Sequence, residues 1–171
     1  MSTKKPLLIY SMIFSVAFIL CGCGGSSGDN VKPPAEDVPV TFHQKKNGLE
    51  IDFLVSKEGF SVGEDVSLKL SIKNTNSNTR VLNFTSGQKY DFLVEDSSGR
   101  EVWRWSYDKS FTMALEEKKL EPGEQLTYEV IWPQKDLENK QVLAGDYLVK
   151  GFCSAMELKD VILSLEIKVV D

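Results

Sequence analysis

Hydrophobic and polar positions in this chain alternate with a period of two over most of its length. Leu49, Ile51, Phe53 and Val55 are interleaved with Glu50, Asp52, Leu54 and Ser56, and Val66, Leu68, Leu70 and Ile72 with Ser67, Lys69, Ser71 and Lys73. Successive side chains of a strand point to opposite faces, so each run predicts a strand with one buried and one wet face. Further strands are predicted near 80–85, 88–95, 100–106, 125–132, 145–153 and 160–170, the last with Val161, Leu163, Leu165, Ile167 and Val169 as its inward row. Turn residues separate these runs at Glu58-Gly59, Val62-Gly63, Asn74 to Asn78, Ser98-Gly99, Pro122-Gly123 and Gly145-Asp146. Pro122 pre-sets φ and Gly123 tolerates a positive φ, which is what a type II turn requires. Met113 to Lys119 is the one stretch that reads as a helical turn, and it carries no cap. The pattern predicts an all-β chain, an immunoglobulin-like antiparallel β-sandwich of about 7–9 strands. Gly145-Asp146-Tyr147 stands where such folds carry a tyrosine corner.

The N-terminal residues break the pattern. Lys4 and Lys5 precede an apolar run from Leu7 to Leu20 that ends in Cys21-Gly22-Cys23-Gly24. A helix of that run is about 21 Å long at roughly 1.5 Å per residue, short of the ~30 Å hydrocarbon core. Basic start, short apolar middle and small residues at the end describe a secretory signal. Leu20-Cys21-Gly22-Cys23 resembles a bacterial lipobox, which implies that Cys23 carries the lipid. Gly24 to Pro39, rich in Gly, Ser and Pro, reads as a flexible linker. The expected organisation is therefore a lipoprotein signal peptide over 1–22, a lipidated Cys23 and linker over 23–40, and one sandwich domain over 41–171. Two acyl chains, at about 0.8 kcal/mol per buried CH₂, hold such a protein stably on a membrane. The expected location is the outer face of the bacterial cytoplasmic membrane.

Charge and chemistry narrow the function. The chain has 20 basic and 25 acidic residues; without Lys4 and Lys5 the balance becomes 18 against 25, net −7. That argues against a nucleic-acid binder, which needs a basic face. His43 is the only histidine, and with no Gly-x-Ser-x-Gly elbow it makes a poor triad member; it reads as a solvated chain-entry residue. His43 and Cys153 make no zinc site, and no phosphate loop is present, so no metal, cofactor or catalytic residue is expected. With Cys21 removed and Cys23 acylated, Cys153 has no disulfide partner; its apolar flank makes it a small buried hydrophobe.

What remains is contact. Lys89 to Glu95 and Arg100 to Ser106 flank Asp96-Ser97-Ser98-Gly99 as a hairpin with two open registers. A four-residue loop sets Phe92 opposite Trp103 and Tyr90 opposite Trp105, whereas a three-residue loop with a bulge at Gly99 pairs Phe92 with Arg104. In either, Trp103, Trp105 and Tyr107 project from one face, as core filling or as an exposed aromatic platform for glycan or protein. Ser86-Gly87-Gln88-Lys89 reads as a tight bend or as a presented binding loop.

Asn74, Phe84, the run Ser86-Gly87-Gln88-Lys89-Tyr90-Asp91-Phe92, Asp96, Gly99, Trp103, Trp105-Ser106, Phe111, Leu120, Pro122-Gly123-Glu124, Trp132, Gly145 and Tyr147 together resemble the intracellular proteinase inhibitor family, the BsuPI domain. The resemblance implies a β-sandwich without a cofactor and, as for the family's namesake, binding and inhibition of a subtilisin-type serine protease. The namesake is cytoplasmic, whereas this chain reads as exported, so the expected target is an envelope or secreted protease. Inhibitors of this kind present a loop; the candidates are Ser86 to Lys89 and Ser106 to Met113, the latter offering Tyr107, Phe111 or Met113 to an apolar pocket. The alternative is a non-catalytic envelope module for glycan or another surface protein, using Trp103, Trp105 and Tyr107.

Overall fold

The computed structural model describes residues 38–171; the expected signal peptide, Cys23 and the linker as far as residue 37 lie outside the described residues. Eleven strands follow: β1 (Val40–Lys46), β2 (Leu49–Val55), β3 (Gly59–Ser61), β4 (Val66–Asn74), β5 (Arg80–Phe84), β6 (Tyr90–Asp96), β7 (Glu101–Arg104), β8 (Glu116–Leu120), β9 (Gln125–Trp132), β10 (Gly145–Cys153) and β11 (Leu163–Val170). One sheet has the order β1-β2-β4-β9, a second β3-β11-β10-β6-β7, and β5 and β8 form a separate two-stranded ribbon. All pairings are antiparallel except the short β3, which runs parallel to β11.

The alternation dictates what is buried. In β2 and β4 the odd apolar and even apolar rows respectively are buried, and the residues between them are partly exposed. Side chains of this sheet meet those of the other: Phe53 of β2 lies 6.0 Å from Phe92 of β6, Trp132 of β9 meets Tyr147 of β10 edge-on at 5.6 Å, and Tyr128 of β9 stacks on Tyr90 of β6 at 4.3 Å. Such aromatic pairs each contribute about 0.5–1.5 kcal/mol beyond area burial. The chain is thus an antiparallel β-sandwich, as the periodicity predicts.

Local chemistry explains the corners. Gly123 has φ +81° and Glu124 N donates to Glu121 O at 2.9 Å, which is the type II turn expected of Pro122-Gly123. The Tyr147 hydroxyl donates to Leu143 O at 2.7 Å, the bond of a tyrosine corner. Asn74, fully buried at the end of β4, donates from Nδ2 to Leu120 O at 2.8 Å and to Asn78 O at 2.9 Å, and accepts Asn76 N at 2.9 Å. One side chain therefore joins β4 to the ribbon.

Three features differ from the pattern. The stretch Met113 to Lys119 is not helical: Glu116 onward forms β8, paired with β5, and the one helical turn among the described residues is a 3₁₀ turn at Met156–Leu158. Eleven strands replace seven to nine: β1, β3 and β8 are not among the predicted runs, and β3 and β8 carry too few apolar residues to show a period. The hairpin adopts neither of the two registers throughout. Asp96 N donates to Arg100 O and Gly99 has φ +79°, a three-residue loop with a glycine bulge. A second irregularity at Val94/Glu95 then shifts the pairing, so that Val94 faces Trp103 and Phe92 O accepts Trp105 N. The extra residue is Val102, buried at the bend.

Candidate functional site

His43 sits on β1 with Nδ1 2.5 Å from Asp52 Oδ1 and Nε2 3.3 Å from Glu50 Oε1. Both ring nitrogens face carboxylates, so neither is turned toward a hydroxyl for activation. Cys153 is buried, and burial pushes its thiol up to about 11, far from the thiolate that nucleophilic chemistry needs. Among the described residues no three His, Cys, Asp or Glu side chains come together to hold a metal ion.

Trp103, Trp105 and Tyr107 reach one open groove of about 630 Å³ between the outer edges of β7 and β9, with Ile131 and Leu137 on its far wall. Their rings differ in availability. Trp103 is half-buried, 6.5 Å from Trp132. Trp105 stacks on Tyr90 at 4.3 Å, touches Phe111 at 6.0 Å and carries the Lys109 ammonium 4.9 Å over its ring. Tyr107 is 69% exposed at the rim.

The two candidate loops turn out to be neighbours. Ser86 to Lys89 is engaged on its inner side at every residue. Ser86 Oγ accepts Gln88 N, Gln88 O accepts the Ser154 hydroxyl at 2.6 Å, and Lys89 O accepts Ser154 N. Lys89 Nζ lies 2.6 Å from Glu116 Oε2 and 4.3 Å over the Phe84 ring. Gly87 N donates to Thr112 O at 2.9 Å. A Cβ on Gly87 would stand 2.7 Å from Thr112 Oγ1, so the glycine is there because Thr112 lies against it. The bend therefore faces inward and supports the segment that follows Phe111.

The base of that segment is held by Asp91. Its carboxylate is 2% exposed and accepts the Ser106 hydroxyl at 2.6 Å, Ser106 N at 3.2 Å, Arg104 Nη1 at 3.1 Å and Phe92 N at 2.9 Å. Arg104 also makes a two-point pair with Glu101, at 3.0 and 2.6 Å, and Glu101 first and Asp91 second hold its guanidinium above the ordinary arginine range. Between this base and β8, Met113 is 92% and Leu115 85% exposed, whereas Phe111 is half-buried against Trp105. Leu115, Arg104 and Glu116 carry no sequence signal: none belongs to a periodic row, and their partners are distant in the chain.

Comparison with curated proteins gives no match. Among solved structures the chain is similar to Pseudomonas fluorescens alkylpurine DNA glycosylase AlkC bound to DNA containing an abasic site analog, at 15% identity and TM-score 0.43, over 72% of this chain and 31% of that one. It is similar also to beta-glucosidase from Listeria innocua in complex with isofagomine, at 15% identity and TM-score 0.43, over 75% of this chain and 16% of that one. The chain spans less than a third of the length of either, and similarity at this level carries no argument about function. The family comparison is of another kind. Residues 44–158, most of the sandwich and every motif residue quoted above from Asn74 to Tyr147, match the family described as intracellular proteinase inhibitor, and this chain belongs to that BsuPI family.

Proposed function

We propose that this protein is a lipid-anchored, extracytoplasmic member of its family that binds a subtilisin-type serine protease non-covalently and blocks it. The observation that carries the reading is the family match over residues 44–158, which points to a protease as partner. The leader from Lys4 to Leu20 and the Leu20-Cys21-Gly22-Cys23 sequence support export and a tether at Cys23 on the outer face of the cytoplasmic membrane. The target is then a protease of the envelope or the medium, within reach of a linker of Gly, Ser and Pro.

A rigid sandwich suits this role. Inhibitors bind proteases with little backbone movement, through interfaces of roughly 1,600 Å² in total, and a loop held by strands loses little entropy on docking. The alternative, a glycan-binding module built on Trp103 and Trp105, asks for open ring faces. Those rings are engaged with Trp132, Tyr90, Phe111 and Lys109, which favours loop contact over the aromatic groove. The test is residual activity of a subtilisin after incubation with the full chain in detergent. Loss of activity in proportion to added chain supports the proposal; full activity at micromolar excess, with the chain digested, refutes it.

A further inference from the structure

We infer that the protease-binding element is the segment Thr112–Glu116, with Met113 and Leu115 as the side chains offered to an apolar cleft, and that Ser86–Lys89 is its brace rather than a second contact loop. The inference rests on the protease reading above. Its basis is a mismatch in chain length between two fixed points. At one end Glu116 pairs with Phe84, the last step of the β5–β8 ribbon. At the other, Thr112 O accepts Gly87 N at 2.9 Å. Between these points the inner segment has two residues, Thr85 and Ser86, and the outer segment has three, Met113, Ala114 and Leu115. The longer segment bows outward relative to the shorter one, much as an extra residue does in a bulge, where side chains are re-aimed.

The direction of each side chain fits. Thr112 lies against Gly87 and Glu116 pairs with Lys89, so those two face the brace. Met113 and Leu115, between them in the chain, are 92% and 85% exposed. Phe111, just before, is anchored on Trp105. Proteases engage their ligands as an added extended strand, with alternate side chains in pockets, and this segment, fixed at both ends, presents two exposed apolar side chains two positions apart. Neither is needed by the core. Two large exposed apolar residues close together in a braced bow suit a partner with apolar pockets.

The test compares four forms of the full chain in detergent against a subtilisin-type protease, reading the inhibition constant from hydrolysis of a chromogenic peptide. These are the parent chain, Met113→Asp, Leu115→Asp, and Ile131→Lys in the groove between β7 and β9. All three substituted side chains are exposed, and an unchanged urea midpoint shows that each variant folds. The expected result is inhibition weakened about 30-fold or more by Met113→Asp or Leu115→Asp, the size of a hot-spot loss, and left within about threefold by Ile131→Lys, as for residues outside a hot spot. An active parent whose inhibition survives both loop variants, or is lost through Ile131→Lys alone, overturns the assignment and leaves the protease reading standing. An inactive parent overturns the protease reading and this assignment together.

Discussion

Asp91 offers the sharpest test of how the loop is held. Asp91→Ala removes an acceptor that is 2% exposed and serves four donors: the Ser106 hydroxyl, Ser106 N, Arg104 Nη1 and Phe92 N. Breaking a buried ion pair so that a charge is stranded costs about 3–5 kcal/mol. Here Arg104 keeps its two-point bond to Glu101 and is 31% exposed, so its charge is not stranded. What is lost is a set of hydrogen bonds to a charged group, nominally about 1.5–3 kcal/mol each but not additive, with the buried Phe92 N–H left without its acceptor. The expected destabilisation is about 3 kcal/mol, or roughly 10 °C in Tm for a domain of this size. Urea unfolding followed by tryptophan fluorescence measures it, because Trp103 and Trp105 flank the site. Arg104→Ala, which leaves Asp91 with its hydroxyl and two amides, is expected to cost about 1 kcal/mol, as for a partly exposed pair. If Asp91→Ala costs under about 1 kcal/mol, or no more than Arg104→Ala, then the carboxylate does not hold the base of the loop and the reasoning is refuted.

Other outcomes follow from single sites. A Cβ on Gly151 would sit 3.1 Å from the Phe53 ring and 3.2 Å from that of Phe92; Gly151→Ala should lower stability by about 1–3 kcal/mol, and a raised urea midpoint contradicts the packing. Gly87→Val pushes Thr112 off its support, so subtilisin should cut faster within Thr112–Glu116, seen by mass spectrometry; an unchanged cleavage rate rules out the brace. The Asp96 carboxyl is held down at about 2, first by the Ser98 hydroxyl and also by Ser98 N and Arg100, from an ordinary 3.8. Its folded value lies below its unfolded one, so its contribution is complete above about pH 4 and disappears as pH falls toward 2. Asp96→Asn should flatten that part of the stability curve, and identical acid profiles would show the turn bonds to be unimportant. Cys153, with its thiol raised to about 11 and buried, should resist alkylation at pH 8 until the chain is unfolded; ready labelling of the native protein contradicts its placement.

Which parts of the structure the sequence discloses follows from where each residue sits. β2, β4, β10 and β11 lie in sheets with one face on the core, so burial imprints a period of two on them. β8 reads Glu-Glu-Lys-Lys-Leu, a composition with helix propensity, yet only Leu120 is buried and pairing with β5 decides its state. β3, three residues long, leaves no period to read. The hairpin register depends on Val102 as well as Gly99, and a bulge of ordinary residues has no signature of its own. For the site, Ser86 to Lys89 is visible as a bend, Ser106 to Met113 only as the stretch that follows the strand predicted over 100–106, and Asp91 and Ser106 belong to the family motif. That Gly87 touches Thr112, and that Met113 and Leu115 bow outward in consequence, is tertiary: the contact joins residues 25 positions apart, and no spacing announces it. Leu115 lies beyond the stretch Ser106 to Met113 and inside Met113 to Lys119, the stretch that reads as a helical turn.

Amide hydrogen exchange of the full chain, with and without a subtilisin whose catalytic serine is replaced by alanine, tests the mode of contact most directly. Protection should appear at Thr112–Glu116 and in the Ser86–Lys89 bend behind it, with the groove between β7 and β9 unchanged. Protection confined to that groove, or none anywhere at saturating protease, would mean that this sandwich does not meet a protease through its braced loop.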